Sequence, residues 1–208
     1  MESKEREIIY TAIEMFSKYG LKPVTMDDLA LELSISKKTL YKYFTNKKEL
    51  VEHSVKEAFA SVSQLMQQAK QHSNDAIEEL FNLDKAVCHA VETHDHSLQF
   101  QLKRYYPETY AWLEKQRKEK IVKQMQDNLK AGVKQGLYRS NLNLEVISLL
   151  YYTRMVVLMG EEMEPFKGFD TQAVMREILI YHLRGIASPK GVERLEKLLK
   201  QNTENDQN

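Results

Sequence analysis

Apolar residues in this chain recur at steps of three and four, and alternation of period two is nowhere sustained. That spacing predicts helices throughout. Between Lys4 and Tyr19 the residues Ile9, Ala12, Ile13 and Phe16 line one helical face, which Gly20 ends in the usual C-terminal manner. Thr25 is placed to cap the next helix, with Asp28 three residues on as the returning carboxylate and Val24 and Leu29 as a hydrophobic staple. Leu29, Ala30 and Leu33 then face the first helix. Ser34-Ile35-Ser36 reads as a tight turn, Ser36 caps a third helix, and Ile35 with Leu40 forms a second staple. Asn46, followed by Glu49, caps a fourth.

Two short helices joined by a tight turn make a helix-turn-helix, a motif whose second helix enters the major groove of DNA. At about 100° per residue, Leu40 and Phe44 share the inner face of that second helix. Lys38 and Lys42 therefore fall on the outer face, with Thr39 and Tyr43 to one side. From Lys37 to Lys48 there are five lysines and no acid. Lysines in the opening turns of two successive helices oppose the helix dipole, by roughly 0.3 to 1 kcal/mol each. A local conflict of this kind points to function, for which a solvated lysine-rich face is the plain alternative.

The body continues without a flexible linker from Leu50 to Lys70. A helix follows through Ile77, Leu80, Phe81, Asp84, Val87, Cys88 and Val91, then a polar connection over 92–97. Leu98 to Tyr106 and a long helix opened by Pro107 and closed at Gly132 or Gly136 come next. The segments Leu144 to Met159 and Thr171 to Ile186 are apolar almost all round, so each needs cover on two sides. Either both are central to a monomer, or one side faces a partner. After Pro189 a basic amphipathic segment carries Val192, Leu195, Leu198 and Leu199, and QNTENDQN is expected to be disordered.

The expected architecture is all-α, with an N-terminal three-helix head over 1–50, a C-terminal helical bundle over 51–190 and a tail, partly disordered, over 191–208. Lys+Arg and Asp+Glu each number 30 in 208 residues, so net charge gives no general pull toward nucleic acid. Any such affinity must be local. One cysteine excludes an internal disulfide framework and suits a reducing compartment. The charged start MESKEREIIY is unlike a signal peptide, and Leu142 to Met159 contains Glu145 and Arg154, which argues against a membrane span. A soluble, cytoplasmic protein is expected.

Leu29-Ala30, Ile35-Ser36, Thr39-Leu40-Tyr41, Tyr43-Phe44 and Asn46-Lys47 resemble the DNA-binding signature of the tetracycline-repressor (TetR) family, over about residues 4 to 52. The resemblance implies a third helix in the major groove, with Lys37, Lys38, Thr39 and Lys42 facing bases. It implies phosphate contacts from Tyr41, Tyr43 and Lys47, and the caps Thr25 and Ser36 complete the expected DNA-binding set. Two residues depart from the family pattern. Ser34 stands where the turn glycine is usual, so either it adopts a less comfortable backbone conformation or the turn differs slightly, and Lys38 stands where a small residue or proline is common.

The last two long helices look like that family's dimer-forming bundle, which implies an interface of Ile147, Tyr151, Arg154, Val174, Ile178 and Tyr181. Cys88, Phe100, Arg104, Tyr105, Trp112 and Tyr152 are candidates for an effector pocket. Core packing is the alternative for each of them. Cys88, His89, His94 and His96 lack the spacing of a metal site, and no cofactor is expected. Nothing resembles a nucleophile elbow, a phosphate-binding glycine loop or a paired-carboxylate site, so an enzyme is not expected. The family implies a homodimeric, ligand-responsive repressor on an operator in double-stranded DNA. The alternative keeps the DNA-binding head on a body that serves protein interaction or structure, with no effector.

Overall fold

The structure, a computed structural model, describes residues 3–92, 96–159, 166 and 168–205, with backbone alone for 86–92, 96, 97, 158, 159, 171 and 202–205. Ten helices occur among the described residues, and the one β-bridge there, Tyr138 with Ala187, belongs to no strand. The fold is all-α. It comprises two units, Met1–Gln64 with His94–Arg117, and Leu65–Thr93 with Lys118–Asn208.

In the first unit α1 (Ser3–Tyr19) buries Ile8, Ile9, Ala12 and Phe16, and α2 (Met26–Glu32) buries Met26, Leu29 and Ala30. Helix α3 (Lys37–Tyr43) contributes only Leu40, and its C-cap residue Phe44 is equally buried. Leu50 and Val51 of α4 (Lys47–Gln71) close this core, joined by Leu102 of α6 (His96–Tyr105) and Leu113 of α7 (Pro107–Lys134). Truncating Leu40 or Phe44 to alanine in such a core costs about 2 to 5 kcal/mol. This segment is thus held from one side by Leu40 and Phe44, with Tyr43 partly buried against the same core.

The second unit is built round Ile77, Leu80 and Phe81 of α5 (Ala76–Glu92), Met125 and Leu129 of α7, and Tyr151 and Met155 of α8 (Leu144–Met159). Met175, Leu179 and Leu183 of α9 (Thr171–Ile186) and Leu195 and Leu198 of α10 (Pro189–Asn205) complete it. Arg194 fixes α10 to the start of α5, at 2.6 Å from Asp75 and 3.2 Å from Glu78. Helix α10 runs to Asn205, so it takes in the first residues of the terminal QNTENDQN, where the sequence suggested disorder. A Cβ on Gly132 would lie 2.1 Å from the Tyr138 ring, so glycine lets that ring pack on α7. The buried Tyr138 hydroxyl is 3.0 Å from the Ala76 carbonyl and 3.0 Å from Asn128 Oδ1.

Candidate nucleic-acid interface

Local hydrogen bonds set the two helices of the motif. Thr25 Oγ1 accepts from the Asp28 amide at 3.2 Å while Asp28 Oδ2 accepts from the Thr25 amide at 2.8 Å, a reciprocal capping box. Those bonds to Thr25 hold the Asp28 carboxyl below its ordinary pKa. Helix α2 then ends with the Ile35 amide donating to the Ala30 carbonyl at 2.9 Å and the Ser34 amide to the Leu31 carbonyl at 3.0 Å. This is a Schellman closure, which demands a left-handed residue at its turn. Ser34 supplies it at φ 51°, the strained conformation expected of a serine in the place of glycine.

Ser36 caps α3, its Oγ accepting from the Thr39 amide at 3.1 Å and lying 2.8 Å from Thr39 Oγ1. Thr39 therefore spends its hydroxyl on the cap. With Leu40 buried, Lys38, Tyr41 and Lys42 are all exposed on the outer side and Tyr43 is half-buried. Lys37 is exposed as well, yet its ammonium stands 2.5 Å from the Asp27 carboxylate of α2. The outer surface of α3 thus presents Lys38 and Lys42 four residues apart on one face, away from the core.

Lys47 is placed otherwise than expected of a free phosphate clamp. Its ammonium donates to the carbonyls of Leu21 and Lys22 in the α1–α2 turn and lies 6.0 Å from the Phe16 ring centre. Those carbonyls lie in the turn beyond the end of α1, outside any helix, and a partly buried ammonium needs acceptors. Burial lowers the Lys47 pKa, against the opposing charge of Asp28. Asn46 caps α4 through the Glu49 amide at 2.9 Å, but the Glu49 carboxylate reaches Thr45 rather than Asn46. Lys48 pairs with Glu108 at 2.6 Å across the surface of this unit.

Three of the residues assigned to a dimer face have side chains packed within the protomer. Tyr151, Arg154 and Val174 pack into the protomer, and the guanidinium of Arg154 is bonded to Asp84, each side chain 8% exposed. A buried guanidinium requires a carboxylate, and α5 provides one. Ile147 and Ile178 are partly buried against the same core. The outward face of α8 carries Val146, Leu149, Leu150 and Val156, and on α9 Tyr181 is 83% exposed.

The candidate pocket residues are divided between the two units. Phe100, Arg104 and Tyr105 are exposed on α6, with the Lys22 ammonium 5.5 Å from the Tyr105 ring. Trp112 is half-buried and meets Phe59 edge-on at 5.8 Å, with the Lys56 ammonium 5.7 Å from its ring. Tyr152 is half-buried in the second unit. The side chains of Cys88 and His89, and residue His94, lie outside the described residues, as does the side chain of His96.

Residues 8–53 match the model of the bacterial regulatory proteins of the tetR family. The chain is 36% identical over 75 residues, 36% of its length, to the biofilm operon icaADBC HTH-type negative transcriptional regulator IcaR of Staphylococcus aureus (strain Newman), and the match spans 40% of that protein. It is 28% identical over 151 residues to the HTH-type transcriptional repressor KstR2 of Mycolicibacterium smegmatis, covering 70% of this chain and 72% of the relative. The ketosteroid transcriptional regulator KstR2 of Mycobacterium tuberculosis shares the fold, with a TM-score of 0.60 at 22% identity over 90% of this chain and 97% of that one.

Proposed function

We propose that this chain, whose residues 8–53 belong to the tetR family of bacterial regulatory proteins, is a homodimeric repressor released from a palindromic operator by a small molecule. The observation that carries the reading is the outer face of α3: Lys38 and Lys42 exposed on a helix whose opposite side is anchored by Leu40 and Phe44. On DNA these lysines read base edges with Lys37 and Thr39 beside them. Tyr41, Tyr43 and Lys47 contact phosphates, Lys47 exchanging the carbonyls of Leu21 and Lys22 for a phosphate oxygen. The caps Thr25 and Ser36 fix the ends that carry these contacts.

Two heads are needed to read a palindrome. The apolar stripe of Val146, Leu149, Leu150 and Val156 on α8, with Tyr181 on α9, supports a second copy as its cover. Residues 1–50 then serve as the DNA-binding domain and 51–190 as the dimerisation and effector domain. An effector that releases DNA binds the DNA-free conformation better, because coupling between two sites is reciprocal. Phosphate contacts make the affinity steeply dependent on salt.

Selection of bound fragments from a random duplex pool by the full-length protein tests this. The reading expects an inverted repeat with half-sites about one helical turn or more apart. Recovery of fragments without a repeated half-site overturns it.

A further inference from the structure

In the second unit, the partly buried Arg154 and His182 lie against the same ring. The guanidinium carbon of Arg154 is 5.1 Å from the centre of Tyr151, and the imidazole of His182 is 5.5 Å from it. Arg154 gives one nitrogen to Asp84, but its Nε and Nη1 and the Nε2 of His182 are buried without a hydrogen-bond partner. Buried polar atoms in native proteins are nearly always paired, and leaving one unsatisfied costs about 1 to 3 kcal/mol, more when the group is charged. Three such atoms close to one aromatic ring offer hydrogen-bonding capacity that the protein itself leaves unused.

Charge selects what that is. Arg154 and Asp84 neutralise one another, and His182 is uncharged at neutral pH because burial, then the charge of Arg154, lowers its pKa to about 4. A ligand carboxylate here would be a buried charge without a counterion, which is strongly unfavourable. A cation would meet the guanidinium. A carbonyl or hydroxyl oxygen accepts from Arg154 at no such cost, and the neutral imidazole can donate or accept beside it. The Tyr151 ring faces both groups, and Met155, Met175 and Leu183 belong to the buried apolar core of the same unit, which suits a hydrocarbon skeleton.

We infer that the second unit binds an uncharged, mainly apolar small molecule whose carbonyl or hydroxyl oxygen is held by Arg154 and His182. This rests on the effector-released regulator proposed above and names the class of its effector.

Cyclohexanone, cyclohexanol, methylcyclohexane and cyclohexanecarboxylate share one ring and differ in the polar group. Titrated into the full-length protein, with binding read from melting temperature and from the NMR resonance of the Arg154 Nε–H, the ketone and alcohol are expected to bind about tenfold tighter than the hydrocarbon. The carboxylate binds more weakly than either. In His182→Phe, which keeps a ring against Tyr151, the preference for oxygen shrinks several-fold, and in Arg154→Met it is lost. If Arg154→Met fails to fold because the Asp84 carboxylate loses its guanidinium, the His182 variant and the Nε–H resonance of the wild type still decide. Equal affinity for methylcyclohexane, a preference for the carboxylate, or an Nε–H resonance that no compound moves, as when water alone fills the site, overturns the inference. Fragment selection separates the two readings. An inverted repeat recovered while the ring series fails leaves the regulator standing and removes only this effector class.

Discussion

Asp27 holds Lys37 at 2.5 Å, so α2 neutralises the first lysine of α3. Both side chains are more than half exposed, and an ion pair of that kind contributes less than about 1 kcal/mol to stability. Its effect on DNA affinity is expected to be larger, because Asp27 sets a negative charge beside the surface proposed to meet DNA. Asp27→Asn is expected to raise affinity for operator and random duplex alike by roughly threefold at low salt, with little change in melting temperature. Fluorescence anisotropy titrations at two salt concentrations check this.

Ser34 bears the strain of the turn. A left-handed residue other than glycine costs roughly 1 to 2 kcal/mol, partly offset by the greater chain entropy that glycine loses on folding. Ser34→Gly should therefore stabilise the protein by about 0.5 to 1 kcal/mol, and Ser34→Val should destabilise it by more than that, since a β-branched side chain suits this region least. Denaturant midpoints of the three proteins give the comparison.

His182 predicts a pH dependence. Its folded pKa, about 4, lies below the ordinary 6.5, so the unfolded chain takes up a proton that the folded one resists. The stability this group contributes is full above about pH 6.5 and is lost as pH falls toward 4, by up to roughly 3 kcal/mol. His182→Phe removes that component. Chemical denaturation from pH 7 to pH 4.5 should show a shallower loss in the variant than in the wild type.

What could be read from the chain alone follows the range of the interactions. The caps Thr25, Ser36 and Asn46 bond amides three residues on, and the face shared by Leu40 and Phe44 is a matter of helical period, so both were legible. Glu49 was a near miss, reaching Thr45 instead of Asn46. The partners of Lys47 and Arg154 were not legible, because Leu21 is 26 residues from the one and Asp84 is 70 from the other. Helix α8 shows why the direction of a face was not legible. A segment apolar on nearly every side carries no periodic signal of direction, so its sequence does not say that Tyr151 and Arg154 turn in while Leu149 and Leu150 turn out.

The central claim is that the outer face of α3 reads base sequence, and the ratio of affinities for the selected operator and a random duplex measures this directly. Lys38→Ala and Lys42→Ala are each expected to lower that ratio by about tenfold, as loss of a base contact does, and to relax the sequence preference at one position. Lys47→Ala should weaken both duplexes alike and leave the ratio unchanged. If Lys38→Ala and Lys42→Ala reduce binding to operator and random duplex by the same factor, α3 does not read the bases.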